Sequence, residues 1–237
     1  MHHIYQDILK AKANNNKLLA ILLDPDKLNS TEIELLSFKI NSSPATHIFV
    51  GGSIVENGKT ELIVTELKKH ISLPIILFPG DVNQVTNTAD GILLLSLLSG
   101  RNPEYLIEQH IKAAPLLQKS NLEIIPTGYI LIDGGVETAV QNVSNTLPIT
   151  QNDIVLTVHT ALAGQYTGKK LIYLEAGSGA IESVKLKTIS SVSNAIDIPL
   201  IVGGGIRSKN KIETAFKSGA DLVVIGTAFE NDITFFD

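Results

Sequence analysis

The most reactive-looking position in this chain is an acid at the end of an aliphatic run. In "YLEAGSGA", residues 173–180, Glu175 closes a strand-like segment and Gly177, Ser178 and Gly179 follow at once. Such a carboxylate can serve as a base, a metal ligand or a hydroxyl-binding group, and the glycines let a small ligand approach the backbone. The plainer alternative is a barrel-layer residue in a salt bridge or a surface acid, but a buried carboxylate needs a partner.

Two further segments suggest an anion site. "GGGIRS" (203–208) and "IGTAF" (225–229) each follow an aliphatic run. Gly203, Gly204 and Gly205 free N–H groups to face an anion, and Gly226 and Thr227 open a turn where more N–H groups and a helix dipole add to the field. Alone, three glycines are only a tight turn; paired with the second loop they read as a phosphate site. "LLDPDK" (22–27) supplies Asp24, Asp26 and Lys27, and "GGS" supplies Ser53. Asp24 beside a proline is equally a turn former. With Ser53 it makes a sparse oxygen set, which Mg²⁺ accepts when phosphates and water complete its shell.

These residues need a scaffold that brings the ends of separate strands together. Aliphatic runs lie at 18–23, 47–50, 75–78, 91–95, 123–131, 171–175, 200–203 and 221–226. Their near-continuous apolarity suits parallel strands covered on both faces. Helical patterns lie at 30–40, 57–70, 103–118, 152–166, 181–194 and 208–218, the last bounded by Ser208 and Gly219. Alternation of this kind predicts an α/β fold, a (β/α)8 TIM barrel over residues 1–237 as a single domain, with an open doubly wound sheet as runner-up. Its chemistry would sit at the C-terminal strand ends, and the loops after strands seven and eight are the usual phosphate site. Between strands three and four there is only "PGDVNQVTNTAD", so the third helix is expected to be degenerate, leaving a groove in the wall beside "GILLLSLLSG". After strand eight only a short helix is expected.

Composition narrows the classes. The chain has 237 residues, 44% hydrophobic and 18% charged, which is ample for a buried core. The net charge of −5 without a Lys/Arg run argues against nucleic acid. With no Cys there is no disulfide, thiolate metal site or cysteine nucleophile, and the six His are scattered without metal-ligand spacing. The polar start is not a signal peptide, and no apolar run is long enough to span a bilayer. A cytoplasmic protein is the expectation, with peripheral membrane contact left open.

Taken in order and spacing, "LLDPDK", "FVGGS", "YLEAGSGA", "VGGGIRS" and "IGTAFE" closely resemble the geranylgeranylglyceryl phosphate synthase family, whose bacterial relatives include heptaprenylglyceryl phosphate synthases. The resemblance runs from about residue 18 to 230. It implies a modified barrel with a degenerate third helix, and a Mg²⁺-dependent prenyltransferase joining sn-glycerol-1-phosphate to a polyprenyl diphosphate. It further implies Mg²⁺ at Asp24 and Ser53, and glycerol hydroxyls held along Tyr173, Leu174, Glu175, Ala176, Gly177, Ser178 and Gly179. Glu175 would be the catalytic base, and the glycerol phosphate would lie at Gly204, Gly205, Gly226 and Thr227. Some relatives carry Lys where this chain has Leu22, so that contact is absent or comes from Lys27 or Arg207. A dimer or larger homo-oligomer is also implied.

The prenyl tail needs an apolar groove, and the missing third helix is its natural opening, with the helix starting near "NPEYLIEQH" as far wall. Tyr105, in that helix's first turn, is a candidate stopper favouring the geranylgeranyl tail; a Tyr that merely packs on the barrel is the equal alternative. Two rival classes remain: another phosphate-handling barrel, such as a phosphoribosyl isomerase using Asp133 as second acid or a flavin oxidoreductase, and a non-catalytic barrel that binds a phosphorylated lipid.

Overall fold

Every one of the eight aliphatic runs forms a strand: β1 Leu18–Leu23, β2 His47–Val50, β3 Ile75–Leu77, β4 Gly91–Leu97, β5 Glu123–Leu131, β6 Leu171–Glu175, β7 Leu200–Gly203 and β8 Leu222–Ile225. The structure, a computed structural model, describes residues 3–29 and 32–237. Neighbouring strands pair in parallel, and β1 closes on β8 with Ile21 opposite Ile225. The open-sheet alternative is thereby excluded.

Alternation along the strands sorts the side chains into two cores. Ala20, Phe49, Ile76, Leu93, Tyr173 and Val224 fill the barrel interior. Ile21, Ile48, Ile75, Ile92, Ile172 and Val223 face the surrounding helices. Glu175 follows Leu171 and Tyr173 at two-residue spacing, so it shares their inward direction. Leu174 and Ala176 fall on the opposite parity and are buried in the outer core.

Between the strands run α2 Ile33–Asn41, α3 Lys59–Leu67, α4 Gln109–Leu117, α6 Ile154–Tyr166, α7 Leu186–Ala195 and α8 Lys209–Lys217, near their expected positions. Residues 30 and 31, where the first of these was expected to begin, lie outside the described residues. Asp153 and Ser208 cap α6 and α8 by accepting from Leu156 N and Lys211 N, as short polar side chains at that position do. The third helix is reduced to a single turn, Val82–Gln84. The expected helix over 103–118 is in fact two pieces: Glu104–Glu108 winds as a π-helical turn, and α4 follows it. After β8, α9 is only Thr227–Asn231.

Two helices were not foreseen. α1, Ile4–Ala13, buries Ile4, Ile8 and Ala11 at helical spacing and plugs the barrel's N-terminal end. Its first turn is held from outside: the Glu123 carboxylate accepts from Ile4 N (2.6 Å) and Tyr5 N (3.0 Å). Gly91 leaves the room this requires, since a Cβ there would lie 2.8 Å from Ile4 Cδ1. α5, Ala139–Ser144, starts at a capping box in which the Thr138 hydroxyl accepts from Gln141 N and the Gln141 side chain accepts from Thr138 N.

Candidate active site

The C-terminal ends of the strands enclose a chamber of about 340 Å³. Its floor is an aromatic triangle, with ring centroids 5.4 Å apart for Phe78–Tyr173 and Tyr129–Tyr173 and 6.0 Å for Phe78–Tyr129. Of the residues expected in the site, Asp24, Ser53, Tyr173, Glu175, Gly177, Ser178, Gly179, Gly204, Gly205, Gly226 and Thr227 all line this one chamber. Leu174 and Ala176 do not reach it with their side chains; Ala176 serves the wall through its N–H, which donates to Gly203 O.

Glu175 is buried at the chamber's centre, 6% exposed. Its Oε1 accepts from Gly177 N at 2.7 Å. Gly203 makes room for its other oxygen: a Cβ there would lie 2.6 Å from Glu175 Oε2 and 2.5 Å from Tyr173 Oη. Burial pushes the carboxyl up to about 7, against the opposing pull of the neighbouring Tyr173 hydroxyl and the Gly177 N–H. The Tyr173 hydroxyl is itself fully buried with no well-formed hydrogen bond to protein. Burial raises Tyr173 and Tyr129 well above the ordinary tyrosine value, so both keep their protons. A base poised near neutrality thus stands beside an unsatisfied hydroxyl, both able to engage a polar ligand.

The anion-facing loops meet across the chamber. Gly204 has φ +79° and Gly205 φ +66°, conformations that a side chain would strain. A Cβ on Gly204 would also come within 2.3 Å of Glu175 Oε1, so this glycine protects the carboxylate's place as well as the loop's shape. Gly226 differs: its φ is −123° and a Cβ would meet only Leu22, at ordinary contact distance, 3.5 Å from its O and 3.6 Å from its Cβ. Its glycine is therefore not demanded by local packing. Ser178 Oγ and Thr227 Oγ1 approach to 3.4 Å between the two loops. The Arg207 guanidinium donates to Gly179 O at 3.1 Å, tying the loop after β7 to the loop after β6.

Asp24 stands at the rim. Its Oδ1 accepts from Asp26 N, so the turn-forming role and the site position coexist. A Cβ on Gly52 would lie 3.4 Å from Asp24 Oδ1, which puts the carboxylate against the loop that carries Ser53. Burial raises the Asp24 carboxyl above its ordinary value, with the Asp26 N–H and the Lys27 ammonium pulling it down. Among the described residues no cluster of three or more His, Cys, Asp or Glu is spaced to hold a metal. Asp26 turns away, accepting from Glu56 N. Asp133 folds back on Gly135 N and does not line the chamber, which removes the second acid of the isomerase alternative.

A second, apolar cavity of about 100 Å³ opens through the gap left by the missing third helix. It shares Gly52, Ser53, Phe78, Tyr129 and Val140 with the polar chamber, so the two are continuous. Its walls include Val82, Val85, Leu94 and Leu95, with Tyr105, His110 and Ala113 on the far side. Tyr105 is half-buried there, and its hydroxyl donates to Val143 O at 3.0 Å. Three contributors escaped the sequence reading. Tyr129 could have been found from its inward parity on β5, and α5, which supplies Val140 and Val143, from the Thr138–Gln141 capping pattern. Glu230, which lines the chamber from α9, carries no local signal.

Comparison with known proteins gives a consistent set. The PcrB family model matches residues 7–236. A geranylgeranylglyceryl phosphate synthase of Flavobacterium johnsoniae is 58% identical over 234 residues, covering 99% of this chain and 96% of the relative. One from Pyrococcus furiosus is 40% identical over 221 residues, covering 93% and 87%. The crystal structure of (S)-3-O-geranylgeranylglyceryl phosphate synthase from Thermoplasma acidophilum in complex with sn-glycerol-1-phosphate superposes with TM-score 0.93 at 31% identity, covering 100% of this chain and 95% of that one. A tryptophan synthase α-subunit from Pyrococcus furiosus, TM-score 0.58 at 14% identity over 91% and 89%, shares the barrel fold alone.

Proposed function

The chain belongs to the PcrB family, and from that premise we propose that it is a prenyltransferase joining sn-glycerol-1-phosphate to a polyprenyl diphosphate, geranylgeranyl diphosphate being favoured. One observation carries the reading: a polar, anion-facing chamber built on Glu175 runs into an apolar slot. A small phosphorylated polyol and a long hydrocarbon each find their own compartment, and the reacting ends meet near Ser53, Phe78 and Tyr129.

In this reading the phosphate lies against Gly204, Gly205, Gly226 and Thr227, and the glycerol hydroxyls lie along Tyr173, Glu175, Gly177 and Ser178. The 3-hydroxyl oxygen attacks C1 of the diphosphate; the C–O ether bond forms while the C1–O bond to diphosphate breaks and the leaving group takes the electron pair. Glu175 takes the hydroxyl proton, a step suited to a carboxyl whose value lies near 7. Only a modest base is needed, because the allylic carbon carries positive charge as the leaving group departs. Lys27 and Arg207, both on the chamber wall, supply positive charge that Leu22 cannot.

Asp24 and Ser53 would hold Mg²⁺, which supplies neutralising charge to the departing diphosphate. The donor set fits: one carboxylate and one hydroxyl leave most of an octahedral shell to phosphate oxygens and water, as Mg²⁺ prefers. Assembly as a homodimer or larger is part of the same reading, as is a cytoplasmic location with peripheral membrane contact; among the described residues no helix is long and apolar enough to cross a membrane.

The test is direct. The purified chain is incubated with labelled sn-glycerol-1-phosphate and geranylgeranyl diphosphate, with Mg²⁺ or with chelator. The expected product is the labelled ether lipid, with Mg²⁺ only, and far less from sn-glycerol-3-phosphate. No ether product from any polyprenyl diphosphate would sink the proposal.

A further inference from the structure

Glu230 has no part in the reaction described above, yet it is among the more heavily engaged side chains of the chamber. Its side chain is only 9% exposed. One oxygen, Oε1, accepts from the backbone N–H of Asp24 at 3.0 Å. The other, Oε2, accepts from the Lys27 ammonium at 2.9 Å, and that ammonium lies 3.6 Å from Asp24 Oδ2. Glu230's own N–H donates to Gly226 O at 3.0 Å. A single residue therefore connects the turn after β1 to the turn after β8, on either side of the barrel's closing seam.

The connection matters because of what it holds. α9 is five residues long, and a helix that short cannot keep its place by its own hydrogen bonds. Its first turn nevertheless has to present the N–H groups at Gly226 and Thr227 to an anion, and such groups have no intrahelical acceptor. Phe229, fully buried in the outer core, fixes how deep α9 sits. Phe236 packs on Phe229 with ring centroids 6.1 Å apart, and Ile233 and Phe235 pack on the same core, so the apolar hold on this segment lies on the outer side, away from the chamber lining. The Glu230 contacts hold α9 on the chamber side. They also fix the backbone from which the Asp24 carboxylate and the Lys27 ammonium project into the same chamber.

We infer that Glu230 is a positioning residue that tethers the phosphate-binding turn at Gly226–Thr227 to the turn after β1, so that the two halves of the polar chamber keep one geometry. The inference rests on the reading of that turn as the glycerol phosphate site. The two substitutions of interest separate tether from charge. Glu230→Gln keeps an oxygen to accept from Asp24 N but turns its NH2 towards the Lys27 ammonium, so it loses the ion pair and the hydrogen bond that Lys27 donates. Glu230→Ala loses both.

The experiment is calorimetric titration of the full chain with sn-glycerol-1-phosphate, at a temperature well below each variant's thermal midpoint. Glu230→Ala is expected to raise Kd at least fivefold, and Glu230→Gln to restore it to within about threefold of wild type, consistent with a hydrogen bond to backbone outweighing a half-exposed ion pair. A role confined to stability would lower the thermal midpoint and leave the Kd of the folded protein unmoved. A smaller change than fivefold in the alanine variant overturns the inference, as does a glutamine variant as weak as alanine, which would assign the effect to Lys27's charge. If the wild type itself fails to bind sn-glycerol-1-phosphate, the phosphate reading falls first and the tether with it.

Discussion

Replacing Glu175 with Gln should change this protein's stability in a pH-dependent way that can be calculated beforehand. The folded chain holds the Glu175 proton to about pH 7, whereas the unfolded chain releases it near 4.5, the ordinary glutamate value. Between those values the folded state binds more protons than the unfolded one, so stability falls as pH rises. Above about 7 both states are ionised and no further loss occurs. The gap of about 2.5 units, at about 1.4 kcal/mol per unit, makes a loss on the order of 3 kcal/mol across the window. Gln carries no such proton, and its side-chain oxygen can still accept from Gly177 N. Urea unfolding of both proteins at several values from pH 4 to pH 8 cancels the contributions of all other groups in the difference. The variant should match wild type near pH 4 and exceed it by on the order of 3 kcal/mol at pH 8. The same variant should lose roughly 100- to 10,000-fold in kcat, and the rise of wild-type kcat/KM through pH 7 should vanish. A stability difference that stays flat with pH would mean that Glu175 titrates in the fold as it does in the unfolded chain, and the poised-base argument would be wrong.

Three other substitutions probe the remaining compartments. Gly226→Ala meets only ordinary contact with protein, so it should leave the thermal midpoint little changed, while its Cβ keeps the phosphate off the backbone N–H and raises KM for sn-glycerol-1-phosphate about tenfold, the equivalent of one hydrogen bond to a charged group; an unchanged KM moves the phosphate elsewhere. Gly204 is unsuited to that test, since its Cβ would strike the Glu175 carboxylate first. Asp24→Asn keeps the turn through its amide oxygen and should raise the Mg²⁺ concentration for half-maximal activity at least tenfold, as expected when the one carboxylate of a sparse site is lost; an unaltered Mg²⁺ dependence would release Asp24 from the metal. Tyr105→Ala removes a ring from the apolar slot and should shift competition between geranylgeranyl and heptaprenyl diphosphates towards the longer tail; a constant product ratio would leave Tyr105 as a packing residue joined to Val143.

Much of this architecture follows from the order of residue types along the chain. Continuous runs such as "LLAILL" suit strands covered on both faces, and their alternation with amphipathic segments leaves a closed parallel barrel or an open doubly wound sheet, between which the β1–β8 pairing decides. The weak segment before β4 has too few helix-forming residues to build a third helix, and the gap it leaves is there. The chemical residues were legible for the same reason: strand ends in this fold converge, so Glu175, the two glycine loops and Asp24 could be grouped from their positions alone.

What the tertiary structure decided is everything that depends on contact between distant segments. The start of the chain reads as polar, yet α1 is stable because Ile4 and Ile8 find the barrel's open end and Glu123 caps the first turn from another strand. The direction of Leu174 and Ala176, away from the chamber, follows from strand parity and is fixed only once the strand's inner face is known. Nothing near residue 175 shows that its carboxyl will sit near 7, because that value comes from burial by the surrounding strands. Glu230 is the plainest case: its partners are Asp24 and Lys27, some two hundred residues away in sequence, and only barrel closure between β8 and β1 brings them within hydrogen-bonding distance.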